Sequence, residues 1–253
     1  MTNPFKVSPC FGTINFASAT ESLHTPILAD APPSVPSIGC DVFIAIDAPS
    51  FFAEVPGEAY IALFFDHSRQ HLRELPSNAF QVHFPKTLSP LQFTDLATRA
   101  EQMLRYGFMH QGIVSLDVTD LRNVFSDCKN KRLALHIIDY DDLDDFPLAR
   151  IEGLQFQSLF ALLLADTDLR LDHYSAMVDA LEGILRPDGL GWFGANFGDD
   201  FYGNSRSRFR LITLSSWGAT MLIPLICCIS ILRSPIRGLK NGLIRGGDIP
   251  TNL

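Results

Sequence analysis

The sequence has no GxSxG, no HExxH and no GxxxxGK[ST], so nucleophile-elbow hydrolysis, zinc proteolysis and P-loop chemistry have no motif to stand on. Cysteine is sparse. Cys10, Cys40, Cys128, Cys227 and Cys228 are odd in number, scattered and without CxxC spacing. They supply neither a disulfide framework nor a zinc site, and they fit a reducing compartment. Charge is low at 19%, and the 20 basic residues are outnumbered by 28 acidic ones, for a net charge of -8. A general nucleic-acid binder needs a basic surface to displace counterions, so that class is excluded. There is no repeat of 20–50 residues and no low-complexity tract. Met1, Thr2 and Asn3 lack the basic flank and following apolar run of a secretory signal, so a cytoplasmic location is expected.

What is present is apolar. Of 253 residues, 47% are hydrophobic and 20 are Phe, which provides enough buried surface to offset the entropy of ordering one large domain or two small ones. The charge is unevenly spread. From Trp217 onward there are four basic residues (Arg233, Arg237, Lys240, Arg245) and one acid, Asp248, so this tail is basic and residues 1–216 hold the acidic excess.

Along the chain, a short alternation at 13–17 and a Pro-rich stretch at 31–37 give way to apolar runs of strand length at 42–46 and 60–65. Phe80 to Phe84 alternates as a further strand, and 67–75 has room for a short helix. Ser89-Pro90 then opens a helix as N-cap and first position, with Phe93, Leu96, Ala97, Ala100, Met103 and Leu104 at helical spacing up to Gly107. A helix at 119–125, a strand at 133–140, a short helix at 147–155 and an apolar run at 159–165 follow. An amphipathic helix carries Leu171, Tyr174, Met177, Val178, Leu181 and Leu185 and is broken by Pro187-Asp188-Gly189. Strands at 192–197 and 209–215 complete the body. Strands alternating with helices predict an α/β or α+β architecture.

Gly189 to Gly194 spells GxGxxG, but a dinucleotide fingerprint follows a strand and opens a helix. Here the order is reversed, and a turn leading into a strand is the better reading. His67 and His71, with Asp66 beside them, have metal-like spacing but no third His or Cys in support, so an exposed short helix explains them. Asp139, Asp141, Asp142, Asp144 and Asp145 lack the glycine and closing Glu of a calcium loop and read as a solvated acidic turn. No metal site is expected.

Gly112-Ile-Val-Ser115-Leu-Asp117-Val-Thr-Asp120-Leu-Arg122 differs in kind, because two carboxylates three residues apart stand where a loop becomes a helix. Asp117 as N-cap and Asp120 in the first turn is a sufficient structural account. The string also resembles the synergy loop of the FtsZ/tubulin-like GTPases, which in bacteria reads Asn-x-Asp-x-x-Asp followed by a hydrophobic and a basic residue. The preceding helix, with Ala97-Thr-Arg-Ala100 and Leu104-Arg-Tyr-Gly107, is similar to that family's central helix. Asp168-Leu-Arg-Leu171, Trp192-Phe-Gly-Ala195 and Phe209-Arg-Leu-Ile-Thr-Leu214 resemble its last helix and closing strands in the same order, so the resemblance covers about residues 89–216.

Upstream the match fades. Asp41-Val-Phe-Ile-Ala45 resembles the strand before the family's Gly-Gly-Gly-Thr-Gly-Thr-Gly loop, yet Ile46-Asp47-Ala48-Pro49-Ser50 follows, with no glycine until Gly57. Glycines matter there because backbone N–H groups must approach phosphate without Cβ interference, and Pro49 removes a donor. The fold class implied is α/β: a shortened, degenerate nucleotide-binding half (1–88), a central helix and connection (89–112), an FtsZ-type C-terminal α+β domain with the synergy loop (113–216), and an apolar-basic tail (217–253).

For function, the resemblance implies that Asp117 and Asp120, with Ser115 where Asn is usual, reach the GTP site of a neighbouring subunit. Ser is shorter and offers one donor where an amide offers two. Asp47, Ala48 and Ser50 are the only candidates for contacting nucleotide in this chain, and GTP binding is expected to be weak or absent. The expected partner is an FtsZ-type protein, or a second copy, in a head-to-tail filament that this chain modulates. The alternatives are a self-sufficient divergent GTPase and a non-enzymatic remnant. Leu211 to Leu232 runs 22 residues without a charge, but the closing strand claims its start and Pro224 interrupts it. That leaves Trp217 to Leu232 as a membrane-associating segment or as an apolar tail buried against the body or a partner.

Overall fold

A computed structural model describes residues 9–15, 40–57, 59–67, 72–84, 87–110, 112–141, 155–165, 169–197 and 209–216. Residues 147–154 of the helix expected at 147–155, and His71, Asp142, Asp144, Asp145, Asp168 and the tail from Trp217, lie outside them. Among the described residues there are eight strands, β1 (Phe11–Asn15), β2 (Val42–Ile46), β3 (Ile61–Phe65), β4 (Ala79–His83), β5 (Arg132–Tyr140), β6 (Phe156–Ala165), β7 (Leu185–Phe197) and β8 (Phe209–Ser216). The helices are α1 (Pro90–Met109), α2 (Val118–Val124) and α3 (Leu171–Glu182).

The strands form one mixed sheet in the order β1-β2-β3-β4-β5-β8-β6-β7. Neighbours from β1 to β5 are parallel, β8 runs antiparallel to both β5 and β6, and β7 is parallel to β6. The sheet is therefore continuous from the 1–88 region into the 113–216 region. β2 and β3 are buried at every position, which explains why they read as unbroken apolar runs: strands covered on both faces have no polar side to alternate with.

α1 begins where Ser89-Pro90 places it. The Ser89 hydroxyl accepts from the Gln92 N–H, the Gln92 side chain accepts from the Ser89 N–H at 3.0 Å, and Pro90 fills the first turn. The helix continues past Gly107 to Met109. Gly107 is a packing residue here, since a β-carbon on it would lie 2.0 Å from a methyl of Leu162 on β6. Phe93, Ala97, Ala100, Met103 and Leu104 join β2–β4 and the buried face of α2 in one core. Met177 and Leu181 of α3 close a second core with Leu159, Ala161, Leu163 and Leu211.

Three local expectations are corrected. α3 ends at Glu182, and Leu185 belongs to β7 opposite Phe156. Pro187-Asp188-Gly189 lies within β7 as an irregularity: register jumps from Leu185 opposite Phe156 to Leu190 opposite Ser158, so residues 186–189 loop out against Gln157. β7 is an outer strand among the described residues, where a proline costs no ladder bond. Of the short helix expected at 67–75, the described residues 72–75 are not helical.

Asp139 does not belong to a solvated turn. It lies on β5, where it accepts from Arg99 of α1 at 2.9 Å and from Arg210 of β8 at 2.7 Å. Burial pulls its carboxyl upward, but the guanidinium groups of Arg210 and Arg99 outweigh that and hold it below the ordinary range. A depressed folded-state value means that its stabilisation is complete above the unfolded value, about pH 4, and is lost as pH falls through the folded value. Asp139→Asn is accordingly expected to lose about 1–2 kcal/mol at pH 7 and to show a smaller further loss than the wild type on acidification below pH 4, by urea denaturation across pH.

Candidate functional site

The functional residues expected from sequence fall at two opposite ends of the parallel strands. The first is the C-terminal end of β2 and β3, where Asp47, Ala48 and Ser50 follow β2. Asp47 has φ +52°, a left-handed conformation that aspartate tolerates, and its N–H donates to the Phe65 carbonyl at 2.8 Å. The turn then closes with the Phe52 N–H donating to the Pro49 carbonyl at 2.9 Å. Asp47 and Ser50 are exposed and Ala48 is buried.

The interior of this turn is occupied by Arg73. Its Nε donates to Asp66 Oδ2 at 2.8 Å, Nη1 donates to the carbonyls of Pro49 (2.8 Å) and Phe52 (2.7 Å), and Nη2 donates to the Ala48 carbonyl and to Asp66 Oδ1 (2.7 Å). A guanidinium has five N–H donors, and these five bonds engage them all. Only 2% of the Arg73 side chain and 6% of the Asp66 side chain is exposed. Gln81 of β4 also donates to Asp66 Oδ2, at 2.6 Å, and the guanidinium lies 5.3 Å from the Phe64 ring centroid. The polarity matters. Phosphate recognition needs converging N–H donors, whereas this turn converges carbonyl oxygens on a cation.

Sequence reasoning did not find Arg73, and it placed Asp66 with the histidines. In the structure Asp66 pairs with Arg73, while the His67 Nε2 lies 2.8 Å from the Leu88 carbonyl and its ring packs on Phe93. Among the described residues no group of three His, Cys, Asp or Glu side chains is placed to hold a metal ion.

The second end is reached by α1, whose 20 residues span about 30 Å. Its start lies beside His67, just past the end of β3, and its last turns reach Phe11 at the start of β1, with Phe108 and Phe11 ring centroids 6.1 Å apart. After α1 the chain turns back along β7. Val114 pairs with Ala195 through two backbone bonds of 3.2 and 2.9 Å, and the Asn196 side-chain amide donates to the carbonyls of Gly107 (2.7 Å) and His110 (3.1 Å). Ala195 and Asn196 thus fix both the end of α1 and the loop that follows. Gly112 permits this approach, since a β-carbon there would lie 1.7 Å from Asn196 Oδ1 and 2.1 Å from the Ala195 carbonyl oxygen. Asn196 was not singled out by sequence, where it reads as one polar position in a strand.

The loop delivers Ser115, Asp117 and Asp120 together. Asp117 caps α2: its Oδ1 accepts from the Asp120 N–H at 2.9 Å, and Asp120 Oδ2 accepts from the Asp117 N–H at 2.8 Å. This reciprocal arrangement is the structural account anticipated for the pair, with aspartate at N3 in place of the commoner Glu or Gln. Ser115 Oγ accepts from the Gly112 N–H at 3.3 Å. Ser115 and Asp117 are exposed and Asp120 is half-buried. Arg122, one turn along α2, lies 4.3 Å from the Tyr60 ring centroid, at the start of β3. The acidic loop and the Arg73 turn therefore lie at opposite ends of β3.

A mixed α/β sheet with one buried, cation-filled turn and one exposed acidic helix N-terminus defines the chain at the level of architecture. No family model matches it, and no curated protein does. Solved structures similar to it include an FtsZ dimer from M. jannaschii, with 12% identity over 70% of this chain and 63% of that chain and a TM-score of 0.48. CetZ from Methanosaeta thermophila is similar at 11% identity over 71% and 61% of the two chains, TM-score 0.42. So is TubZ of Bacillus thuringiensis serovar israelensis, in GDP-form protofilaments, at 11% identity over 70% and 59%, TM-score 0.42. The chain spans 56–63% of the length of these solved chains and of a second M. jannaschii FtsZ structure. Among the described residues no helix is long and apolar enough to cross a membrane.

Proposed function

We propose that this chain is a divergent FtsZ/tubulin-like protein that associates head-to-tail with an FtsZ-type partner or with copies of itself. In this reading it presents Ser115, Asp117 and Asp120 to the partner's GTP site, binds GTP weakly or not at all, and modulates the filament it joins. The observation that carries the reading is the asymmetry between the two ends. The turn after β2 is filled by Arg73, all of whose donors are engaged, while the acidic loop at the other end is held by its reciprocal cap with Ser115 and Asp117 exposed. A carboxylate pair presented this way can orient and polarise a water in a neighbouring subunit, and it needs no nucleotide in its own chain to do so.

The test separates charge from capping. Asparagine caps a helix as well as aspartate does, so Asp117→Asn and Asp120→Asn are expected to change stability by less than about 1 kcal/mol. Added to an FtsZ-type GTPase from the same genome, the wild-type protein is expected to change its GTP turnover several-fold, and either variant to have little effect. Tight GTP binding by the purified protein, or GTP turnover without a partner, would overturn the modulator reading and favour a self-sufficient GTPase.

A further inference from the structure

Cys10 directly precedes β1, and Cys40 stands two residues before β2. The two strands are parallel neighbours in register from Phe11 opposite Val42. The Cys10 carbonyl accepts from the N–H groups of Asp41 (2.9 Å) and Val42 (3.1 Å), and the Asp41 carboxylate accepts from the Cys10 N–H at 2.7 Å. These three bonds hold together the backbone on either side of the two cysteines. The Cys40 side chain then folds over Gly12: its sulfur is 3.1 Å, and its β-carbon 3.4 Å, from the point where a β-carbon on Gly12 would lie. Gly12 is two residues beyond Cys10, which puts the two positions on the same side of an extended chain. Both thiols therefore belong to one face at one end of one strand pair, and the missing side chain of Gly12 leaves them room.

Their exposures are complementary. Cys10 is exposed and Cys40 is 4% exposed. Burial, and after it the nearby Cys10, push the Cys40 thiol above its ordinary range. Cys128, the other cysteine among the described residues, is half-buried and its thiol donates to Asn130 Oδ1 at 3.2 Å.

We infer that Cys10 and Cys40 form a reversible disulfide that fastens β1 to β2. The oxidant is a low-molecular-weight disulfide. The Cys10 thiolate attacks one of its sulfurs and expels the first small thiol, leaving a mixed disulfide. The Cys40 thiolate then attacks the Cys10 sulfur and expels the second small thiol. Two protein thiols and one small disulfide become one protein disulfide and two small thiols, with no electron unaccounted for. The exposed residue is the one the oxidant reaches, and the buried one resolves it. In a reducing compartment such a bond is transient, forming when the thiol pool becomes oxidised. β1 is an outer strand among the described residues, so this is where a staple between strands has most to hold. The inference is independent of the reading of the acidic loop.

The experiment treats the Cys128→Ser/Cys227→Ser/Cys228→Ser protein with oxidised glutathione. Expected is a monomer whose intact mass has fallen by the two hydrogens of the thiols. Its unfolding midpoint should rise by about 5 °C or more, and dithiothreitol should reverse both changes. A stable glutathione adduct on Cys10 with Cys40 left free, a disulfide-linked dimer, or a bond without a shift in midpoint would each overturn the inference. Should the triple variant not fold, wild-type protein is oxidised and cleaved after glutamate. Glu21 lies between the two cysteines, so their peptides stay joined only if the bond has formed.

Discussion

Replacing Arg73 with methionine is expected to destabilise the protein by about 3–5 kcal/mol, read as a drop in urea midpoint at unchanged m-value. Methionine keeps an unbranched, apolar side chain and removes all five donors. It leaves a carboxylate whose side chain is 6% exposed with the Gln81 amide at 2.6 Å but without its counter-charge. It also takes the guanidinium away from the carbonyls of Ala48, Pro49 and Phe52. Leaving a buried charge uncompensated costs far more than an exposed ion pair contributes. Since a folded domain is stable by about 5–15 kcal/mol in all, this loss is a large fraction of the total. Arg73→Lys should recover only part of it, because a point charge with three rotatable donors cannot reproduce a planar fork that reaches five acceptors. A loss below about 1 kcal/mol for Arg73→Met would mean that the turn after β2 does not depend on its internal cation.

Gly112→Ala is expected to cost about 3 kcal/mol and to detach the acidic loop from β7. The added carbon would lie 2.1 Å from the Ala195 carbonyl oxygen, a backbone atom that cannot turn aside as a side-chain end can. Either the loop or β7 must move, and the Val114–Ala195 bridge and the Asn196 bonds to the end of α1 are what hold them together. Hydrogen exchange is the specific check: the amides of Val114 and Ala195 should lose protection in the variant while those of β2 and β3 retain it. Because the loop carries Ser115, Asp117 and Asp120, the same substitution should also abolish any effect on a partner's GTP turnover. Asp117→Asn removes charge without moving the loop, and the two variants together distinguish loss of chemistry from loss of position.

Much of this architecture was readable from short stretches. β2 and β3 announce themselves as five-residue apolar runs because both faces are covered. α1 starts at Ser89-Pro90, and α2 starts at Asp117, because a cap is decided by a side chain and an N–H three residues away. The α3–β7 boundary was misread for a related reason: Leu185 continues the helical spacing of Leu181, but pairing with Phe156, 29 positions earlier in the chain, claims it for the sheet.

The two candidate sites divide along the same line. The acidic pair of α2 was legible as a cap, since all its geometry is local. Asn196, which anchors the end of α1 just before the loop, was not, since its partners are 89 and 86 residues away. Nor was Arg73, in a stretch that read as a short helix, with acceptors 7, 21, 24 and 25 residues distant. Asp139 reads as one more acid in a run until Arg99 and Arg210, 40 and 71 residues away, meet it on β5.

By itself, the sequence determined the apolar strands, the helix starts and the absence of closely spaced glycines after β2, all of which depend on residue type and near neighbours. Tertiary structure alone decided that the turn after β2 encloses a guanidinium, that one asparagine pins the end of α1 just before the acidic loop, and that the two ends of the sheet have opposite character. Burial is the physical reason. A polar group taken from water must be satisfied by whatever the fold brings beside it, and that partner is seldom close in sequence.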